Sequence, residues 1–276
     1  MDRHPWNEDF TWALPTTAPR RLDATQLAQF DRDGYVVLDG VFDTDTVAAI
    51  ADEIDRFEAE TDAALRRVDG GRVAIAETGA ITFTVHLVAK SPRLRQFASR
   101  PEFADLCHDL VGPDVRLYWD QAVYKKPEKP RRFPWHQDNG YAFVEPQHYL
   151  TCWVALTDAT LQNGCPQVAP GWHRQGTLRH HYVDPLGWEC LSDPPDVRIA
   201  EVGAGGVVVF SSLTPHLTGP NTSGVPRKAY ILQYAPDGAR RLEGDPATGP
   251  AVGRVACDVP ERQFPVLQGG EPVTAS

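Results

Sequence analysis

The chain contains a single His-x-Asp triplet, His136-Gln137-Asp138, inside RRFPWHQDNGY. A further histidine, His216, stands in VVVFSSLTPHLTG, and Arg227 follows in PRKAYILQYAP. Two imidazoles and one carboxylate leave half the positions of an octahedral metal open, which suits non-heme Fe(II) and the binding of O2. No cysteine lies near the triplet or His216, which argues against a structural zinc. A buried guanidinium needs an anionic partner, and a carboxylate matches its fork in bidentate fashion. The pattern predicts iron- and 2-oxoglutarate-dependent oxygen chemistry, with His136, Asp138 and His216 as metal ligands and Arg227 as the anchor of the cosubstrate. A His-x-Asp triplet alone arises by chance about once in a chain of this composition. Specificity comes from the order: triplet, late histidine, then an arginine across the loop GPNTSGVP.

These residues need strands to position them. A strand places residues i and i+2 on one face, so an extended chain around Trp135 aims His136 and Asp138 inward and Gln137 away. His216 is expected at the end of the strand that starts Val207-Val208-Val209-Phe210. Arg227 is expected to open the strand returning beside it. VRLYWDQAVYKK, YLTCWVAL, GGVVVFSS and KAYILQYA are short β-branched and aromatic runs bounded by Gly, Pro and Asn, the texture of strands in a sandwich or a double-sheet jelly roll of the cupin kind. Before residue 114 the texture differs. DATQLAQFDRDGYVVLDGVF reads as a short helix, a stop at Gly34 and a strand through Tyr35-Val36-Val37-Leu38. A longer helix starts near Thr44, with Val47, Ile50, Ile54 and Phe57 at helical spacing. Two short helices follow, with Pro101 in a first turn. The expected organisation is one mainly β domain over residues 1–276. It comprises an extended arm (1–20), a mostly helical buttress (21–113), a jelly-roll core (114–240) and a candidate lid at about 174–200.

Composition narrows the partners. A chain of 276 residues that is 42% hydrophobic and 23% charged suits one domain with a substantial core. The net charge of −10 argues against nucleic acid and anionic membranes, and leans mildly towards a cationic substrate. The start MDRHPWNEDF carries no secretory signal and no run is long enough to span a bilayer, so a cytoplasmic enzyme with a small-molecule substrate and no obligate protein partner is expected. The five scattered cysteines form no Cys-x-x-Cys pair and read as reduced thiols.

At these residues the chain resembles the phytanoyl-CoA dioxygenase family. The resemblance runs from about Leu22 to Ala235 through FDRDGYVVLDGVF, DQAVYKKP…PWHQDNGY, CWVALTDATLQNGCPQVAPGWHRQG and GAGGVVVFSSLTPHLTGPNTSGVPRKAYILQY. It implies a double-stranded β-helix, Fe(II) bound by His136, Asp138 and His216, and Arg227 on the distal carboxylate of 2-oxoglutarate. It also implies that Thr218 assists Arg227 and that Trp153 and Gln121 face the cosubstrate. Related halogenases carry a small residue where this chain has Asp138, so oxygen transfer or desaturation is implied, with succinate and CO2 released.

The sequence departs from the family where Leu217 follows the last histidine in place of Gly. There the wall near the cosubstrate is expected to tighten. Trp172 replaces a small residue and is expected to shape the substrate end. GAGG stands where an acidic residue often closes a turn. Candidate mouth residues are Tyr141, Phe143, His148, Trp172, His173, His181 and Trp188, with Arg131 and Arg132 available to an anionic substrate or simply solvated. The expected reaction is hydroxylation of an unactivated C–H bond of a secondary metabolite. The competing readings are a cupin-type metal-dependent isomerase or hydrolase, which would not need Arg227, and a non-catalytic 2-oxoglutarate-binding module.

Overall fold

The computed structural model describes residues 2–273. Helix α1 (Ala24–Asp33) begins at a capping box in which Asp23 accepts from the Gln26 backbone, and ends at Gly34 in the left-handed region at φ 82°. Helix α2 (Thr44–Arg66) is capped by Asp43 and buries Val47, Ile50, Ile54 and Leu65 along one stripe. Helices α3 (Pro92–Ala98) and α4 (Pro101–Leu110) both carry proline in the first turn, where its missing N–H is not needed.

The strands that build the barrel are β1 (Tyr35–Leu38), β2 (Ile81–Val85), β3 (Val115–Lys125), β4 (Phe133–His136), β5 (Leu150–Ala155), β6 (Pro166–Val168), β7 (Val207–Ser211), β8 (His216–Thr218) and β9 (Arg227–Pro236). The major sheet runs β1-β7-β5-β9-β3-β2, all antiparallel, and continues past β2 into Ala76–Glu77 and Arg72–Val73. The minor sheet runs Arg198–Ile199, β6, β8, β4. Together they form the cupin-like jelly roll. The helices cover the outer face of the major sheet. Phe30, Ile54, Leu94, Phe103 and Leu106 pack there against Val36, Leu117, Leu150, Val209, Leu232 and Tyr234. Each such fully buried side chain contributes roughly 1.5–3 kcal/mol. The inner face carries the alternate residues of the same strands, among them Ile81, Val123, Trp153, Ala155, Val208, Phe210, Ala229 and Ile231.

Several local expectations change. The stretch 21–113 contains β2, whose ITFTV lies fully paired along β3 from Ile81↔Lys125 to Val85↔Gln121. Strands also continue past residue 240. Arg240–Glu243 and Gly253–Ala256 join Val144–Glu145 in a small sheet, and Pro265–Gln268 pairs with the start of β3. The residues before Leu22 are tied down: Asp109 of α4 accepts the backbone N–H groups of Arg20, Arg21 and Leu22 at 2.7, 2.9 and 2.9 Å. The glycines of GAGG have a steric reason. Gly205 sits at φ +85°, where a Cβ would lie 2.2 Å from the Phe42 carbonyl, so no other residue fits that turn.

Candidate active site

His136 ends β4 and His216 opens β8, and the two face each other directly across the minor sheet. Their ring centroids are 4.1 Å apart. Each Nδ1 lies against a carbonyl two residues upstream, Pro134 at 2.9 Å and Thr214 at 3.0 Å. Donation there fixes the tautomer and turns both Nε2 lone pairs towards the same space. Burial, with His216 next, holds the His136 imidazole well below its ordinary range, so it is neutral as a metal ligand must be. Asp138 starts a single 3-10 turn, but Gln137 between is extended at φ −104°, which keeps positions 136 and 138 on one side. Asp138 Oδ1 lies 3.9 Å from both Nε2 atoms. Thr151 Oγ1 donates to its other oxygen at 2.6 Å. The three donor atoms lie within 4.8 Å of one another, a neutral-imidazole and carboxylate set that fits Fe(II).

Two positional expectations are corrected. His216 does not end the strand that starts at Val207. β7 stops at Ser211, and a turn over 212–215 carries the chain from the major to the minor sheet. Arg227 opens β9 as expected, but β9 pairs with β3 and β5 and not with β8. GPNTSGVP therefore returns the chain to the major sheet, and Arg227 approaches the histidines from the opposite layer.

One chamber between the layers is lined by His136, Asp138, His216, Arg227, Thr218, Trp153 and Gln121, together with Thr151, Phe210 and Ile231. Arg227 is 1% exposed, and all three of its guanidinium nitrogens lack a hydrogen-bond partner. Its Cζ lies 5.0 Å from the centre of the Trp153 ring, and burial pulls its pKa down to about 9. An unpaired guanidinium buried beside a three-ligand cluster fits the carboxylate of a 2-oxo acid. Beside it Lys125, directly opposite in the β3–β9 ladder, is spent on the carbonyls of Arg131, Thr218 and Gly219.

Thr151 and Lys125 were missed in the sequence. Thr151 was within reach, since it precedes Trp153 by two residues on the same face. Lys125 in YKKP carries no such signal.

Outside the chamber lies a cleft of about 540 Å³ that includes His136, Asp138, Gln121, Phe133 and Tyr141 in its lining. Of the candidate mouth residues only Tyr141 lines it. Phe143 packs on His4 and Trp6. His148 and His173 pack on Trp12. Trp172 and Leu217 join Trp135, Leu178 and Leu191 in a cluster that contributes nothing to either cavity, so neither shapes the cosubstrate or substrate wall. Residues 176–178 are fastened to Gln137, whose amide donates to Gly176 O and accepts from Leu178 N. Beyond them the exposed hairpin His181–Val183/Gly187–Glu189 reaches Tyr141 through Trp188 N at 3.2 Å. Arg131 and Arg132 are paired with Glu77 and Glu189 at 2.7 and 2.8 Å.

A jelly roll holding an open His-Asp-His cluster and a buried arginine defines the class of non-heme Fe(II)/2-oxoglutarate-dependent dioxygenases, which use O2. Residues 30–229 match the phytanoyl-CoA dioxygenase family, and the chain belongs to that family. The ectoine dioxygenase of Bordetella parapertussis is 30% identical over 238 residues, covering 77% of this chain and 75% of that protein. EvdO2 from Micromonospora carbonacea var. aurantiaca, crystallised with 2-oxoglutarate, superposes with a TM-score of 0.62 at 25% identity over 79% of this chain and 92% of its own. The epimerase SnoN, in complex with Fe3+, alpha ketoglutarate and nogalamycin RO, shares the fold with a TM-score of 0.67 at 23% identity, over 84% of this chain and 93% of its own. Among the described residues no helix is long and apolar enough to cross a membrane, and the cysteines are free.

Proposed function

We propose that His136, Asp138 and His216 hold one Fe(II), that Arg227 with Thr218 binds the distal carboxylate of 2-oxoglutarate, and that Trp153 and Gln121 line the cosubstrate chamber. The observation that carries this reading is the guanidinium of Arg227, buried without a partner in the same chamber as the three metal donors. Iron bound there would activate O2, with two of its four oxidising equivalents spent on converting 2-oxoglutarate to succinate and CO2 and two on an unactivated C–H bond of the substrate. The protein's part is positional. Pro134 O and Thr214 O fix the imidazole tautomers, Thr151 turns one carboxylate oxygen to the metal, and Trp153 keeps water from Arg227. The substrate is a small molecule, entering by the cleft at the Tyr141 side, and we place the reaction as hydroxylation in secondary metabolism.

A cupin-type isomerase or hydrolase would have no need of Arg227 at this depth, and a non-catalytic 2-oxoglutarate-binding module would have no need of a three-donor cluster with open metal positions. Anaerobic reconstitution with Fe(II) and 2-oxoglutarate should give the weak visible charge-transfer band of a chelated 2-oxo acid. His216→Ala and Arg227→Ala should each lose it. One bound metal per chain without a band would overturn the reading in favour of a cupin-type enzyme.

A further inference from the structure

The outer cleft has a wall that the family match does not include. Arg241, Val255, Cys257, Val259, Arg262 and Gln263 line it, all beyond residue 229, where the match ends. Its charged lining is unequal. Asp138 belongs to the proposed metal site, whereas Arg241 and Arg262 stand on the C-terminal wall. Arg241 is committed to Glu243 at 3.0 Å. Arg262 is held by an imidazole and not by a carboxylate: its Nη1 donates to His86 Nε2.

His86 is shaped for that contact. Its backbone is left-handed at φ 57° where it opens the 3-10 turn Leu87–Ala89. Its ring stands edge-on to Trp119 at 4.4 Å. Burial, then Arg262 and Lys90, hold it down to about 4, so at neutral pH it accepts from Arg262 without cancelling its charge. Arg131 and Arg132, by contrast, are neutralised by Glu77 and Glu189. Arg262 is therefore an uncompensated cation at the side of an aromatic cleft, in a chain whose net charge is −10.

The position is informative too. Gln121 lines both cavities, while Trp119, two residues away on β3, lines only the cleft. The His86–Arg262 pair therefore sits on the order of 7 Å further out than the chamber. Phe83, Trp119 and Phe133 line the cleft, and Phe83 and Phe133 line the chamber as well.

We infer that the substrate is an amphiphile whose anionic group, a carboxylate or a phosphate, is bound by Arg262 while its apolar body lies along Phe83, Trp119 and Phe133 towards Asp138. This deepens the oxygenase reading and rests on it for the direction in which the substrate points. A cleft of about 540 Å³ accommodates such a body. The whole-chain acidity, which leaned towards a cationic substrate, does not describe this site.

The test uses the anaerobic enzyme with Fe(II) and saturating 2-oxoglutarate, which fills Arg227. It is titrated by calorimetry with 4-phenylbutyrate, 4-phenylbutyl phosphate, 4-phenylbutanamide and 4-phenylbutylamine. The anions should bind on the order of tenfold tighter than the amide, as a charged hydrogen bond warrants, and the amine least. The tighter of the two anions identifies the head group. Arg262→Gln should erase the difference between anion and amide while the amide's own affinity stays, and Arg262→Lys should keep part of it. Equal binding of anions and amide by the wild type, an anion preference that survives Arg262→Gln, or no binding of any probe at millimolar concentration overturns the inference. Loss of the charge-transfer band itself would sink the oxygenase reading instead, and the same calorimetry on metal-free protein would still judge Arg262.

Discussion

Replacing Arg227 by methionine should stabilise the protein and destroy its cosubstrate binding at once. The guanidinium is buried without a partner, and burial alone pulls its pKa down to about 9. At about 1.4 kcal/mol per pKa unit, a depression of this size is a charging penalty on the order of 4–5 kcal/mol. The Trp153 face, 5.0 Å away, offsets roughly 1–2 kcal/mol of it. Exchanging a buried charge for an apolar side chain of similar volume is commonly neutral to stabilising by about 1–4 kcal/mol. A net gain of roughly 1–3 kcal/mol follows, or a rise in Tm of about 3–10 °C for a chain of this size.

The sign with pH follows from the direction of the shift. A base with a depressed folded pKa disfavours the fold while it is protonated, so the penalty is complete below about pH 9 and is relieved only above it. The gain should therefore be equal at pH 6 and pH 8. With metal and 2-oxoglutarate at a thousand times its Kd, the wild type should gain about 4.1 kcal/mol from the cosubstrate and the variant nothing, which reverses their order. Anaerobic thermal melts with and without 2-oxoglutarate read both effects. A variant that melts below the wild type without cosubstrate, or that 2-oxoglutarate stabilises equally, refutes the reasoning.

Thr151→Val removes the donor to Asp138 Oδ2; metal affinity by chelator competition should fall about 10- to 100-fold, with Thr151→Ser restoring it. Gly140→Ala would place a Cβ 2.0 Å from the His180 ring, which accepts from Gln137 N between His136 and Asp138; a loss of about 1–3 kcal/mol in urea unfolding with weakened metal binding is expected, and unchanged stability would contradict the packing. His173 and His180 are buried and held to about 4, chiefly by desolvation. The unfolded chain binds their protons first as pH falls below about 6.5, so between pH 6.5 and 4 each should withdraw roughly 1 kcal/mol of stability per pH unit near pH 5, and His148, which burial also holds down to about 4, adds a like amount. Urea midpoints at pH 7 and 5 measure that slope, and a flat profile would show the histidines to be solvated.

What the sequence made legible was local or periodic. Gly34 marks the end of α1, and spacing of two puts His136 with Asp138. Trp153 and Gln121 line the same cavity as the three donors. What stayed hidden depends on partners distant in the chain. ITFTV is too short to declare itself, and it is a strand because β3 pairs with it over its whole length. The turn over 212–215 looks from the sequence like the end of one strand, and only the sheets show that it changes layer. Leu217 and Trp172 were expected at the site because each replaces a small residue of the family pattern. Strand alternation sends Leu217 to the other face of its sheet, and Trp172 packs there with it. The C-terminal wall was unreadable because none of its strands carries a run long or apolar enough to show.

On the proposed assignment the ligand set and the cosubstrate anchor belong to different layers, and this has a mechanical consequence. His136 and His216 stand on the minor sheet, and Arg227 stands on the major sheet. A 2-oxo acid bound to the metal and to Arg227 would bridge the two sheets through charge-assisted contacts at both ends. Of the groups that would bind it, the Arg227 guanidinium has no hydrogen-bond partner within the protein. Much of the free energy gained on binding would then come from relieving a buried charge, so the chamber without cosubstrate should be the least stable part of the barrel. Amide exchange in β8 and at the start of β9 should slow when metal and 2-oxoglutarate are added together, and more than with metal alone. Protection that rises with metal alone and no further would place the gain on the minor sheet and leave Arg227 without this role.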